Sequence, residues 1–159
     1  SLDMSEPLLK IQNVKKIFKV GFSNVIAVND VSFNIEKHDS VSIVGESGSG
    51  KTTFSRYLIN SIYKNQNKKP PNIIKSPSFP ILLTYELSNF EIYHYDLYRV
   101  SKDSELIHLN IFEELNNSIT LVEWPGTILD SLQNYNYFSI HFDILDENTR
   151  ILKHNLIFS

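Results

Sequence analysis

The feature that most constrains this chain is the run Val44-Gly-Glu-Ser-Gly-Ser-Gly-Lys-Thr-Thr53. Gly45-x-x-x-x-Gly50-Lys51-Thr52 satisfies the phosphate-loop pattern, in which glycines let successive backbone N–H groups curl towards phosphate oxygens. That chemistry needs a strand before the loop and a helix after it, with the helix's positive end facing the anion. Both are legible. "SVSIVG" (Ser40–Gly45) is a short apolar strand, and "KTTFSRYLINSIY" sets Phe54, Tyr57, Leu58 and Ile62 on one helical stripe. Gly45, Glu46, Ser47, Gly48, Ser49, Gly50, Lys51, Thr52 and Thr53 are therefore the candidate nucleotide-binding loop. Lys51 would reach the β- and γ-phosphates, and the Thr52 hydroxyl would serve Mg²⁺.

The rest of the chain reads as one α/β P-loop domain over residues 1–159, with a mostly parallel central sheet and antiparallel edge strands or hairpins at both ends. Residues 8–20 and 25–35 read as strands about the turn Gly21–Asn24, and "YFSIHFDIL-DENT-RILKHNLIF" as a closing hairpin. "KNQNKKPPN" (Lys64–Asn72) reads as a surface loop. "NFEIYHYDLYRV" alternates, setting Phe90, Ile92, His94 and Asp96 on one face. "KDSELIHLNIFEELNN" has helical spacing. "SITLVEWP" is a nearly unbroken apolar run, the pattern of a strand buried on both faces. Residues 1–7 are expected to be a tail, disordered or left from cloning.

Composition narrows the function classes. The chain is 42% hydrophobic and 21% charged, which is globular, and its net charge of −3 gives no global basic field for nucleic acid. It has no cysteine, which excludes disulfides and thiolate metal sites. No apolar run approaches the ~18 residues of a membrane span, so a cytoplasmic protein with no membrane contact is expected.

A P-loop hydrolyses nucleotide only with an acid for Mg²⁺ and water. Glu123 ends the buried run "ITLVE", and ligands of open α/β sheets gather at the carboxyl ends of strands. A surface acid closing a strand is the plainer alternative. Asp96 is the second candidate: a charge on the Phe90–Ile92 face is costly unless paired with a metal, base or donor, and a paired structural Asp is the alternative. Tyr85, Phe90, Tyr93, Tyr95 and Tyr98 could form a base-stacking platform, but with Arg99 alone among them they read better as strand packing. Arg99 is either a salt-bridge partner or a partner-facing cation. His108, His141 and His154 share no ligand spacing, which argues against zinc.

From Gly50 onward, "GKTTF", "IKSPSFPILLTYE", "YHYDLYRV", "ELIHLNIFEEL" and "ITLVEWPG" resemble, in order and spacing, the TsaE family of small bacterial ATPases of the tRNA threonylcarbamoyladenosine pathway. The resemblance covers residues ~40–159. It implies a catalytic set of Lys51, Asp96 and Glu123, with Thr52, Asp96 and Glu123 serving Mg²⁺. It also implies a hydroxyl of Ser78 near the γ-phosphate and Trp124 beside the nucleotide. ATP binding and hydrolysis would support turnover of the TsaB–TsaD transferase, with tRNA met only through that complex. Intrinsic activity would be slow, because such catalysis is mainly positioning.

The first ~50 residues, "LLKIQNVKKIFKVG…VSIVGESGSGKTT", instead resemble the opening of ABC-transporter ATPase domains of the oligopeptide-importer type, which implies an aromatic, Phe18, stacked on adenine or else packed in the core. The chain contains no "LSGGQ" signature. Two other readings stay open: a truncated or hybrid ABC-type ATPase, and a nucleotide-gated docking module without essential hydrolysis. A small-molecule kinase is disfavoured, since no lid-like arginine cluster follows the helix.

Overall fold

The computed structural model describes residues 9–20, 23–36, 39–45, 50–72, 82–98, 118–124, 137–146 and 149–157. In chain order these form β1 (Leu9–Val20), β2 (Ser23–Ile35), β3 (Ser40–Gly45), α1 (Lys51–Asn65), β4 (Leu82–Glu86), β5 (Glu91–Asp96), β6 (Ser118–Glu123), β7 (Tyr137–Asp146) and β8 (Thr149–Ile157). The eight described strands make one sheet, in the order β1-β2-β8-β7-β3-β6-β5-β4.

The centre is parallel: β7, β3, β6 and β5 run the same way, while β4 closes one edge antiparallel and the β1–β2 hairpin closes the other. The N-terminal hairpin joins the sheet through a parallel pairing of Asn24–Ala27 in β2 with Thr149–Leu152 in β8. Two differences from the sequence reading are local. Helix α1 continues to Asn65, into the expected loop, and a turn follows in which Asn67 takes a positive φ of 56° that asparagine tolerates. "LLTYE" is a strand, β4, that its half-exposed pattern did not announce.

Helix α1 turns Phe54, Leu58, Ile59, Ile62 and Tyr63 onto the sheet, where they meet Val41, Ile43, Ile92, Ile119, Leu121, Ile140 and Phe142. The spacing of three and four residues makes that stripe. Each fully buried large side chain in it contributes about 1.5–3 kcal/mol relative to exposure. Strand alternation sends the neighbouring residues to the other face, where Ser40, Ser42, Ser118, Thr120 and Ser139 are buried hydroxyls. All six residues of β6 are buried, as its unbroken apolar run requires.

This packing aims one end of α1 at the carboxyl ends of β3 and β6. Gly50, the residue before the helix, has φ 119° and ψ 8°, a conformation that favours glycine, and its carbonyl accepts the Phe54 N–H at 2.9 Å. The first turn of α1 carries no acid and the last carries Lys64, so the helix leaves its positive end free of a competing carboxylate of its own. No helix among the described residues is long and apolar enough to cross a membrane.

Candidate functional site: an acid pair beside the phosphate loop

Parallel register sets the two candidate acids side by side. Asp96 at the end of β5 pairs with Glu123 at the end of β6, and Glu123 pairs in turn with Ile43 of β3, two residues before Gly45. The backbone beneath them is tied: the Leu97 N–H donates to the Glu123 carbonyl at 3.0 Å, and the Trp124 N–H to the Ile43 carbonyl at 3.4 Å.

Glu123 is 1% exposed, and a carboxylate that deep is tolerable only when its oxygens are hydrogen-bonded. They are. Oε1 accepts the Thr52 hydroxyl at 3.0 Å, while Oε2 lies 2.5 Å from Nε2 of His94 and 3.3 Å from the Ser55 hydroxyl. Ser55 is shared, since its Oγ is also 3.1 Å from the Lys51 carbonyl and it has one proton to give. Asp96 is half-buried and accepts the Tyr98 N–H on Oδ1 at 3.0 Å. Burial raises its carboxyl above the ordinary carboxylate range and nearby Glu123 adds to the rise, while the Tyr98 amide, His94 and Lys51 oppose it.

Lys51 is 5% exposed, and its Nζ donates to the Gly45 carbonyl at 2.7 Å, spanning the mouth of the loop. The same ammonium lies 4.1 Å from the centroid of the Trp124 ring, a cation–π contact. Trp124 holds a left-handed backbone, φ 58°, costly for a bulky residue, and the Tyr98 ring lies 4.8 Å from it.

Of the sequence-predicted residues, the structure brings together Gly45, Gly50, Lys51, Thr52, Glu123, Asp96 and Trp124. Thr53 is half-buried in the first turn of α1. Glu46, Ser47, Gly48, Ser49 and Ser78 lie outside the described residues, as do Arg99 and His108. Phe18 lies on the edge strand β1, with β2, β8 and β7 between it and β3, and its side chain is outside the described set. Two residues were missed as partners of Glu123. Ser55 is one helical turn past Lys51, and His94 shares a strand face with Asp96, so both spacings carried the signal.

The donors available to a cation are hard oxygens: the Thr52 hydroxyl and two carboxylates. Among the described residues no three His, Asp or Glu side chains gather as a metal cage. Hard-oxygen donors suit Mg²⁺, which takes one or two carboxylates and leaves positions for water and phosphate.

A parallel strand ending in glycine, a helix opening on Lys51-Thr52 and an acid-ended neighbouring strand define a P-loop NTPase. The comparisons narrow that class. The family model described as threonylcarbamoyl adenosine biosynthesis protein TsaE matches residues 22–152. The chain belongs to the TsaE family.

It is 39% identical over 118 residues to the tRNA threonylcarbamoyladenosine biosynthesis protein TsaE of Rickettsia felis, a match covering 74% of this chain and 66% of that protein. With the Rickettsia typhi protein of the same name it shares 38% identity over 128 residues, or 79% of this chain and 85% of its relative. A shorter likeness, 45% over 56 residues, is to the oligopeptide transport ATP-binding protein AmiF of Streptococcus pneumoniae. It covers 35% of this chain and 18% of AmiF. That is the kind of protein the N-terminal residues resemble.

Proposed function

We propose that this protein, acting as one P-loop domain over residues 1–159, binds ATP with Mg²⁺ and hydrolyses it in tRNA threonylcarbamoyladenosine biosynthesis. On this reading it supports turnover of the TsaB–TsaD transferase in the cytoplasm, away from membranes, and meets tRNA only through those partners. The observation that carries the hydrolytic part is the contact of Glu123 with Thr52, which sets a buried carboxylate beside the phosphate loop.

When bound, Mg²⁺ neutralises charge on the β- and γ-phosphates. Thr52 and Asp96 would hold it, directly or through water, with Glu123 close by. Lys51 exchanges the Gly45 carbonyl for phosphate oxygens, which the backbone amides of residues 48–52 also hold. Thr52 turns its hydroxyl away from Glu123, and the freed oxygen of Glu123 then orients or deprotonates the attacking water. Ser78 supplies a hydroxyl near the γ-phosphate and Trp124 flanks the nucleotide, while Phe18 either stacks on adenine or packs in the core.

The test is a reconstituted modification assay with TsaB, TsaD, tRNA and ATP, alongside capture of the TsaB–TsaD pair with and without ATP. ATP-dependent capture and loss of modification with Glu123→Gln are expected. Modification that survives this substitution would replace hydrolysis by nucleotide-gated docking. ATP-dependent self-association without affinity for TsaD would favour an ABC-type ATPase instead.

A further inference from the structure

His94 has no part in the mechanism above, yet it is fully buried on β5. It pairs with Leu121 of β6, one step back along the same face from the Asp96–Glu123 row. Its neighbours there, Ile92 and Leu121, belong to the apolar layer under α1. An imidazole in such a place is costly unless its nitrogens are bonded. One is, to Oε2 of Glu123 at 2.5 Å, and the other, Nδ1, is buried with no hydrogen-bond partner among the described residues. An N–H at Nδ1 would be a buried donor with nothing to bond, so the ring proton belongs on Nε2 and is donated to the carboxylate.

We propose that His94 is a positioning residue for Glu123, clamping Oε2 so that Oε1 alone is free to change partners. The two oxygens have different company. Oε1 accepts from Thr52, whose hydroxyl the phosphate site also needs, whereas Oε2 faces groups behind the site. The terminal torsion of a glutamate is broad and two-fold, so an unclamped carboxylate can present either oxygen, or neither, to an attacking water. Ser55 cannot do this alone, because its proton is divided between Glu123 and the Lys51 carbonyl. The inference rests on the reading of Glu123 as the catalytic acid.

Glutamine and asparagine separate this role from simple packing. The side-chain amide of Gln reaches about as far as Nε2, whereas that of Asn stops near Nδ1. With His94→Asn, kcat should fall roughly 10- to 100-fold, the usual loss when a supporting hydrogen bond to a working ligand is removed. The Kd for ATP, read from the fluorescence of Trp124, the chain's one tryptophan, should stay within about two-fold in both variants, since uniform binding is untouched. His94→Gln should recover most of kcat.

A second readout needs no turnover. Nitrogen-15 NMR of histidine-labelled, nucleotide-free protein should show His94 protonated on Nε2, with a downfield proton that moves upfield in Glu123→Gln. A ring protonated on Nδ1, or equal losses of kcat and melting temperature in the Asn and Gln variants, would overturn the proposal. An inactive Glu123→Gln beside a fully active His94→Asn defeats this inference alone. A fully active Glu123→Gln defeats the catalytic reading of Glu123, and the positioning role falls with it.

Discussion

The two ends of helix α1 are built from similar materials and do opposite things. At its start, Lys51 leans on the Gly45 carbonyl and Thr52 on Glu123 by contacts a phosphate site could replace, while Ser55 bonds Glu123 and the Lys51 carbonyl behind them. At its end, the Tyr63 hydroxyl donates to the Glu86 carbonyl of β4 at 3.1 Å, beside a β4–β5 turn closed by the Leu87 N–H on the Phe90 carbonyl at 3.0 Å. Tyr93 donates to the Glu91 carboxylate in the same corner. A cleft of about 530 Å³ opens there, lined by Glu86, Ser88, Asn89, Glu91 and Ser118 among others, at the opposite end of β5 from Asp96. One end holds polar groups in exchangeable bonds around a buried acid, and the other is latched by phenol hydroxyls on a carbonyl and a carboxylate.

The sharpest way to break that comparison is at the exchangeable end. Glu123→Gln keeps the shape and removes the base, so ATP turnover should fall by roughly 10²- to 10⁴-fold, the usual worth of a positioned general base. Melting temperature should hold or rise, because the variant no longer buries a charge. Turnover measured beside thermal unfolding checks both. A variant that lost stability and kept its activity would make Glu123 a structural residue like those at the far end.

Midway along the helix the expectation inverts. Leu58 is fully buried between the two ends. Leu58→Ala should cost about 2–5 kcal/mol of unfolding free energy through lost burial and the cavity left behind. Below its melting range the variant should bind ATP nearly as the parent does. Denaturant unfolding and an ATP titration on one sample would show whether the middle of α1 serves stability alone.

How much of this was legible depended on whether the determining contacts were local. The strand–loop–helix unit at Ser40–Asn65 showed itself because the glycines, the apolar run and the helical stripe are contiguous. Glu123 and Asp96 stood out because each closes a strand whose burial the residues before it announce. The hydrogen bond between Ser55 and Glu123 spans 68 positions, and only the parallel register of β3, β6 and β5 creates it. His94 was legible as a companion of Asp96 on one strand face, but its bond to Glu123 depends on the same register. β4 was missed because an edge strand half exposed to solvent need not alternate cleanly. The β2–β8 pairing joins two hairpins from opposite ends of the chain, which no local pattern encodes.

The smallest effect tests the latched end. Tyr63→Phe removes one hydroxyl donor and leaves the Glu86 carbonyl to find water, which should cost about 0.5–1.5 kcal/mol. Its pH dependence is more telling than its size. Burial raises the Tyr63 phenol above its ordinary value, and the charge of Glu86 raises it further. The unfolded phenol therefore gives up its proton first, at about pH 10. As pH climbs from there towards the folded value, the unfolded chain holds fewer protons than the folded one, and stability falls. The tyrosine's advantage is thus whole below that window and shrinks within it. Parent and variant should differ most near neutrality and converge as the solution becomes alkaline. Tyr85, whose phenol burial also raises, remains in both proteins, so each keeps some alkaline loss. A gap between them that stayed constant from neutral pH to pH about 11 would mean that the hydroxyl of Tyr63 does not latch the helix, and that its ring alone holds this end.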